Sequence, residues 1–471
     1  MRLSQILKAC SGRLIVGDPE TDLGGISVDT RTLNKGDLFI AIKGERFDGH
    51  DFIADAIKRG AKGAIVERGD LPYNEIPQQF SLIEVKDTVR ALGDIANWWR
   101  RRLNTFLIAI TGSVGKTSTK DILASILSKK AVTFSSKENL NNLIGVPLNI
   151  LSMRDFHRYS VIEMGMNRPG EIKRLTEICA PNIGVITNVG PAHVEGLGSL
   201  RNVILAKLEL VETIGEDSIT FIDGDNQDLL RYARRYNKPL IRVGQKRTND
   251  YVYDITLLGK GAKISVLVKR EGQLYDFRSH LMAKPYLMNV SMACSLALYL
   301  GLDPSDIQRG IGAYKGTRSR FEVHSLMDGS FLVDDSYNAN PISLKAGLFS
   351  LKELFPDLKK ILIIGDMLEL GKDSKRYHRE AGRLCAKIGA SKLIAIGSHS
   401  QEVLEGAKKE GLRTEDMVAF QDAKEALPYI PQFVSKGNIL YVKGSHKLNL
   451  SILVDHVTKS FGKDKENRLV L

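Results

Sequence analysis

A strand-like run, TFLIAI (residues 105–110), passes directly into Thr111-Gly112-Ser113-Val114-Gly115-Lys116-Thr117-Ser118 and then into the helical stretch KDILASILSKK. The glycines let the backbone approach phosphate oxygens closely, and the amides of the loop and of the helix N-terminus point at the anion. Lys116 can reach the β and γ phosphates of a nucleotide, and the Thr117 hydroxyl can ligate Mg²⁺. Ile110 stands where the general motif has a glycine, so the loop is the short G-x-x-G-K-T type. Downstream, β-branched runs such as YSVIEM and IGVITNV alternate with helical stretches. That alternation favours a parallel sheet with helices on both faces, an α/β fold. A phosphate loop alone leaves kinases, GTPases and ATPases open.

At 471 residues the chain exceeds one compact core, and three sections can be drawn. The first, 1–85, is a small α/β unit with the strand-like runs DLFIAI and GAIVE around the helical FIADAIKRG. The second, 86–318, opens on a linking helix with Leu92, Ile95 and Trp99 on one side, carries the phosphate loop, and includes a polar antiparallel excursion over 250–277. The third, 319–471, repeats the alternating pattern, with FLVDDS, KILIIGD, KLIAIG and NILYVKG as strands of a Rossmann-like unit.

The 43% hydrophobic and 26% charged composition is that of an ordinary globular protein. No apolar run approaches the roughly 18 residues that a membrane span needs, and Lys8 and Arg13 interrupt any signal-peptide core, so no membrane insertion is expected. Cys10, Cys179, Cys294 and Cys385 form no close pair and read as small buried hydrophobes in a reducing cytoplasm. The net charge of +12 is dispersed and no RNA-binding motif accompanies it, so an anionic small substrate explains it at least as well as nucleic acid.

Two more strand ends carry chemistry-bearing side chains. Glu163 closes YSVIEM, where open α/β sheets bind ligands, and could hold a second magnesium ion. His193 follows the next strand, in TNVGPAH; Lys207, in ILAKLEL, by itself reads as a solvated helix face.

The order of these residues resembles the Mur ligase family, most closely its dipeptide-adding, MurF-type branch. SVDTRTLNKGDLFIAIKGERFDGHDF is similar to the family's uridine-nucleotide signature, with Asp29-Thr30-Arg31 for the usual Asp-Ser-Arg. TGSVGKTSTK, NLNNLIGVP, EMGMNRPGEI, TNVGPAHVEGLGS and AKLEL follow in the middle, then DDSYNANP (334–341), IGDMLELG (364–371) and VKGS (442–445). The resemblance implies ATP-dependent ligation of D-alanyl-D-alanine to UDP-N-acetylmuramoyl-tripeptide through an acyl phosphate, by a monomeric enzyme. It implies that Lys116 and the loop from Gly112 to Ser118 hold ATP phosphates, with Thr117 and Glu163 on Mg²⁺. His193 would serve a second Mg²⁺ together with Lys207, carried as a carbamate, and Lys116, His193 and Lys207 would be the catalytic set. Asn289 matches an adenine contact, Asp335 the ribose contact and Arg320 an arginine reaching the γ-phosphate. Thr30, Arg31, Gly49, His50, Asn141, Asn142, Asn338 and Asn340 would contact the ligated substrates. Two departures stand out: Ala283-Lys284-Pro285 replaces the family's Gly-x-His before Asn289, and His446 replaces the arginine of Lys-Gly-Ser-Arg.

Two rival readings start from the same motifs. A ligase adding diaminopimelate, lysine or glutamate uses the same scaffold, but no Asp-Asn-Pro-Arg follows Gly371. A nucleotide-dependent switch without ligation rests only on the altered segment before Asn289.

Overall fold

The computed structural model describes residues 1–67, 76–137, 139–259, 261–327, 329–462 and 468–470. They form three sheets in chain order, each covered by helices.

The N-terminal sheet has five strands, in the order Arg13–Val16, Ser81–Val85, Gly63–Glu67, Leu38–Ile40, Ile26–Ser27; only the Arg13–Val16 strand runs antiparallel. The first helix is Leu3–Cys10, with Leu3 and Ile6 buried. The linking helix is Thr88–Arg100, capped by the Asp87 carboxylate. Its Leu92 and Ile95 join the N-terminal core. Its Trp99 Nε1 reaches across to the Met153 carbonyl at 3.2 Å, so this helix is packed from both sides.

The central sheet has nine strands. Seven are parallel, from Thr133–Ser135 through Tyr159–Glu163, Phe106–Thr111, Ile183–Ile186, Ile219–Asp223 and Leu240–Gly244 to Tyr251–Leu258. The expected antiparallel excursion is Tyr251–Leu258, Gly261–Val268 and Gln273–Ser279, which lengthens this same sheet. Parallel strands covered on both faces read as continuous apolar runs, and Leu107 to Ile110 and Ile183 to Ile186 are buried throughout.

The C-terminal sheet runs Met417–Phe420, Ala390–Ile396, Lys359–Gly365, Asn438–Lys443, Phe331–Asp334, Glu322–Ser325, Arg468–Val470, the last two antiparallel to their neighbours. The four expected strands are all present; Met417–Phe420, half-buried and short, was not anticipated. All four cysteines are buried and free. Burial pushes the Cys10 thiol up to about 11 and that of Cys179 to about 12, which keeps both protonated. Among the described residues no helix is long and apolar enough to cross a membrane.

Candidate active site

The strand Phe106–Thr111 lies between Tyr159–Glu163 and Ile183–Ile186, and the chain order reverses there. Open α/β sheets bind ligands at such a point, beyond the carboxyl ends of the strands. The phosphate loop is fixed from the neighbouring strand end. Val114 N donates to Asn188 Oδ1 at 2.9 Å, Thr187 Oγ1 donates to the Val114 carbonyl at 2.6 Å, and Ser113 Oγ donates to the Gly190 carbonyl at 3.0 Å. The loop leaves no room for side chains at two positions. A Cβ on Gly112 would lie 1.9 Å from Thr187 Oγ1, and one on Gly115, whose φ is +82°, would lie 2.3 Å from Asn289 Oδ1. Lys116 Nζ donates to the Gly112 carbonyl at 2.9 Å.

Glu163 is the hub of the site. Its carboxylate accepts from Thr117 Oγ1 at 2.7 Å and from Asn141 Nδ2 at 2.9 Å, and its backbone N–H donates to Ser136 Oγ at 3.0 Å. Burial pushes its carboxyl up, but Lys116, the two hydrogen bonds and Arg320 outweigh that and hold it below the ordinary glutamate value. An ionised, buried carboxylate beside a hydroxyl results. Lys116 is lowered by burial and by Arg320, with Glu163 pulling the other way.

Lys207 sits within the helix Leu200–Thr213 at 1% exposure, contrary to a solvated face. No hydrogen bond or ion pair to it occurs among the described residues. Burial, and then the charge of Lys116, push its amine well below the ordinary lysine value, which favours the neutral form. His193 stands immediately before the helix Val194–Leu197 without a side-chain cap, and its Nδ1 lies 2.6 Å from Glu369 Oε2.

The C-terminal unit closes the other side. Arg320 Nη2 donates to Thr117 Oγ1 at 3.0 Å, and its guanidinium carbon lies 4.2 Å from the centre of the Tyr337 ring. The Tyr337 hydroxyl donates to Asn139 Oδ1. Asp335 accepts from Lys443 Nζ at 2.7 Å and from the Tyr441 hydroxyl at 2.8 Å. Burial raises its carboxyl despite the pull of both.

These groups enclose a cavity of about 430 Å³. Its walls carry Ser113, Val114, Gly115, Lys116, Thr117, Ser118, Asn141, Asn142, Glu163, His193, Asn289, Arg320, Asp335, Asn338 and Asn340. Gly112 and Lys207 are not part of that wall, nor are Thr30, Arg31, Gly49 and His50 of the N-terminal unit.

Several of the expected substrate residues are spoken for within the fold. His50 has Nδ1 2.6 Å from Asp48 Oδ1, and its Nε2 accepts from Glu67 N at 3.0 Å. Arg31 turns onto Asp29, 2.6 Å from Nη2 to Oδ2. Asn142 caps the helix Gly145–Ser152 through Gly145 N, and Asn340 caps Pro341–Leu354 through Ser343 N. Both asparagines can still face a ligand through their amide nitrogens.

Ser136, Tyr286, Tyr337, Glu369 and Lys443 complete the site and were not singled out from sequence, although three fall inside the quoted motifs. Their partners are distant in the chain. Pro285 occupies the first turn of the helix Lys284–Tyr299, where a missing N–H costs nothing. The next residue, Tyr286, donates its hydroxyl to the Arg320 carbonyl, tying this helix to the segment between the two units. His446 packs edge-on against Tyr337, ring centres 6.1 Å apart.

Three family models match in succession: the Mur ligase catalytic domain over 22–100, the Mur ligase middle domain over 110–297 and the Mur ligase glutamate ligase domain over 319–446. The chain belongs to the Mur ligase family. This Mur ligase is 32% identical over 442 residues, 94% of each chain, to the UDP-N-acetylmuramoyl-tripeptide–D-alanyl-D-alanine ligase of Bacillus subtilis. It superposes on MurF from Acinetobacter baumannii with a TM-score of 0.87 at 29% identity, covering 97% of this chain and 98% of that one. It also superposes on the MurF ligase of Thermotoga maritima solved in complex with ADP, at 0.80 and 26% identity, over 92% and 97%.

Proposed function

We propose that this Mur ligase joins D-alanyl-D-alanine to UDP-N-acetylmuramoyl-tripeptide with consumption of ATP. The observation that carries the reading is the cavity itself, in which the phosphate loop, Glu163 and His193 face Arg320 and Asp335 from the other unit. Relatives named for this reaction over nearly the whole chain support the choice of substrates.

An amide cannot form directly from a carboxylate and an amine; the acyl group must be activated. The tripeptide's terminal carboxylate oxygen attacks the γ-phosphorus of ATP, giving an acyl phosphate and ADP. The dipeptide amine then attacks the carbonyl carbon, loses a proton, and phosphate leaves. Two anions have to meet, so catalysis is mainly positioning and charge neutralisation. Lys116 and the loop amides grip the β and γ phosphates, Arg320 meets the γ-phosphate from across the junction, and Asp335 takes the ribose. Asn289 lies on the adenine side, and Asn141, Asn142, Asn338 and Asn340 line the way to the acceptor. Thr30, Arg31, Gly49 and His50 belong to the uridine-nucleotide side, His50 by shaping its loop.

The residues fit Mg²⁺. Thr117 Oγ1 and an ionised Glu163 lie 2.7 Å apart and can share one ion. His193 would take a second, with Lys207, whose neutral amine can add CO₂ and release a proton to become a carbamate. Bound there, the ions neutralise phosphate charge.

Purified protein given ATP, Mg²⁺ and the UDP-linked tripeptide should yield the pentapeptide with D-alanyl-D-alanine, and no product with diaminopimelate, lysine or glutamate, by mass spectrometry. With ¹⁸O in the tripeptide carboxylate, label should reach inorganic phosphate; unlabelled phosphate would rule out the acyl phosphate.

A further inference from the structure

Two loops from different units meet at His193. His193 has a φ of +58° and Glu369, beyond the strand Lys359–Gly365, has a φ of +62°. A non-glycine residue in this region costs on the order of 1 kcal/mol or more, so its surroundings must hold it there. The hold is visible. Glu195 N donates to the Glu369 carbonyl at 3.0 Å across the junction. From beneath, the fully buried His378 accepts from Met367 N at 2.9 Å through Nε2, with its Nδ1 2.7 Å from the Ser374 carbonyl. The outcome is Glu369 Oε2 at 2.6 Å from His193 Nδ1. The Glu369 side chain is 45% exposed, so neither core packing nor burial demands this approach.

The approach lies off the Nδ1–H axis, so Nδ1 makes no hydrogen bond as the side chains stand. A small rotation of the exposed carboxylate would align it, keep the ring proton on Nδ1 and leave the Nε2 lone pair for a cation. We infer that Glu369 is a positioning residue for His193, so that docking of the C-terminal unit completes the cation site of the central one. The inference rests on the proposed reading of His193 as facing Mg²⁺. Docking and cation binding then favour each other by the same factor.

The test is Mn²⁺ titration of the full chain with saturating ADP, read by electron paramagnetic resonance, for wild type, Glu369→Ala and Glu369→Gln. Glu369→Ala should weaken Mn²⁺ binding about tenfold, the lower end for losing such a partner. Glu369→Gln, whose amide oxygen still accepts, should fall between. ADP affinity in EDTA should not change, and the ¹⁵N signals of His193 should shift away from the Nδ1–H tautomer in Glu369→Ala only. Unchanged Mn²⁺ affinity and tautomer in Glu369→Ala, over a wild type that binds Mn²⁺, overturns the inference alone. A wild type that takes up no Mn²⁺ with ADP overturns the metal reading and the inference with it.

Discussion

Lys207 is a lysine held without a counter-charge inside the protein, and that has a thermodynamic signature. Folding lowers the pKa of its amine well below the ordinary value of 10.5 at which the unfolded chain protonates it. The unfolded state therefore binds the extra proton, and the penalty is present at neutral pH and fades as pH rises towards 10.5. Lys207→Met should raise stability at pH 7 by roughly 1–3 kcal/mol and by less at pH 9.5, while ligation collapses. Denaturant unfolding at the two pH values checks the first part, and a gain that does not shrink with pH refutes the cause. Lys116→Ala should cost about 10³-fold in kcat, the scale for removing one charge from a phosphoryl-transfer site. Near-normal ligation would end the phosphate-loop assignment. Gly115→Ala should abolish nucleotide binding through the clash with Asn289, as isothermal titration would report.

Among elements, the helix Lys284–Tyr299 shows how far sequence could be read. The strand–loop–helix at 106–127 was legible because its chemistry is local: glycines, Lys116 and Thr117 within a few residues. Glu163 and His193 were legible because strand ends recur at the same edge of a parallel sheet. Tyr286 was not, because its partners, the Thr317 and Arg320 carbonyls, come from beyond the next helix. Ala283 and Pro285 stand where the family has Gly and His. In the structure they open the helix Lys284–Tyr299, with Asn289 against Gly115. Lys207 taken by itself read as a solvated lysine, yet it lies on the buried side of its helix with Val203, Ile204 and Val211, opposite the exposed Arg201 and Glu212. The Tyr286 hydroxyl pins a segment in which Ser319 has a φ of +56° and Phe321 a φ of +55°. Tyr286→Phe should lose about 1–2 kcal/mol of stability and lower kcat, because Arg320 between those residues is no longer held at Thr117. Unchanged kcat would show that Arg320 is held by its other contacts alone.

At the scale of the whole molecule, the site exists only where the central and C-terminal units touch. Neither unit alone carries both Lys116 and Asp335. Polar contacts join them, Arg320 to Thr117, Tyr337 to Asn139, Lys284 to Glu353 and His193 to Glu369, beside an apolar core that runs from Leu287 and Val290 to Leu344 and Leu348. Interfaces between such units can still shift relative to one another, and substrate binding should favour the closed arrangement. Tyr337 is the place to test this. Its ring carries the Arg320 guanidinium and its hydroxyl holds Asn139, next to the asparagines that line the acceptor side. Tyr337→Phe keeps the stacking and removes the bond; Asn139→Ala removes the same bond from the other unit. If that bond holds the junction closed, each variant should raise the radius of gyration seen by small-angle X-ray scattering with an unreactive ATP analogue. The double variant should be no worse than either single one, because both delete one interaction. Independent, additive losses in the two variants would mean that Tyr337 and Asn139 act separately and that closure rests on the other contacts of the junction.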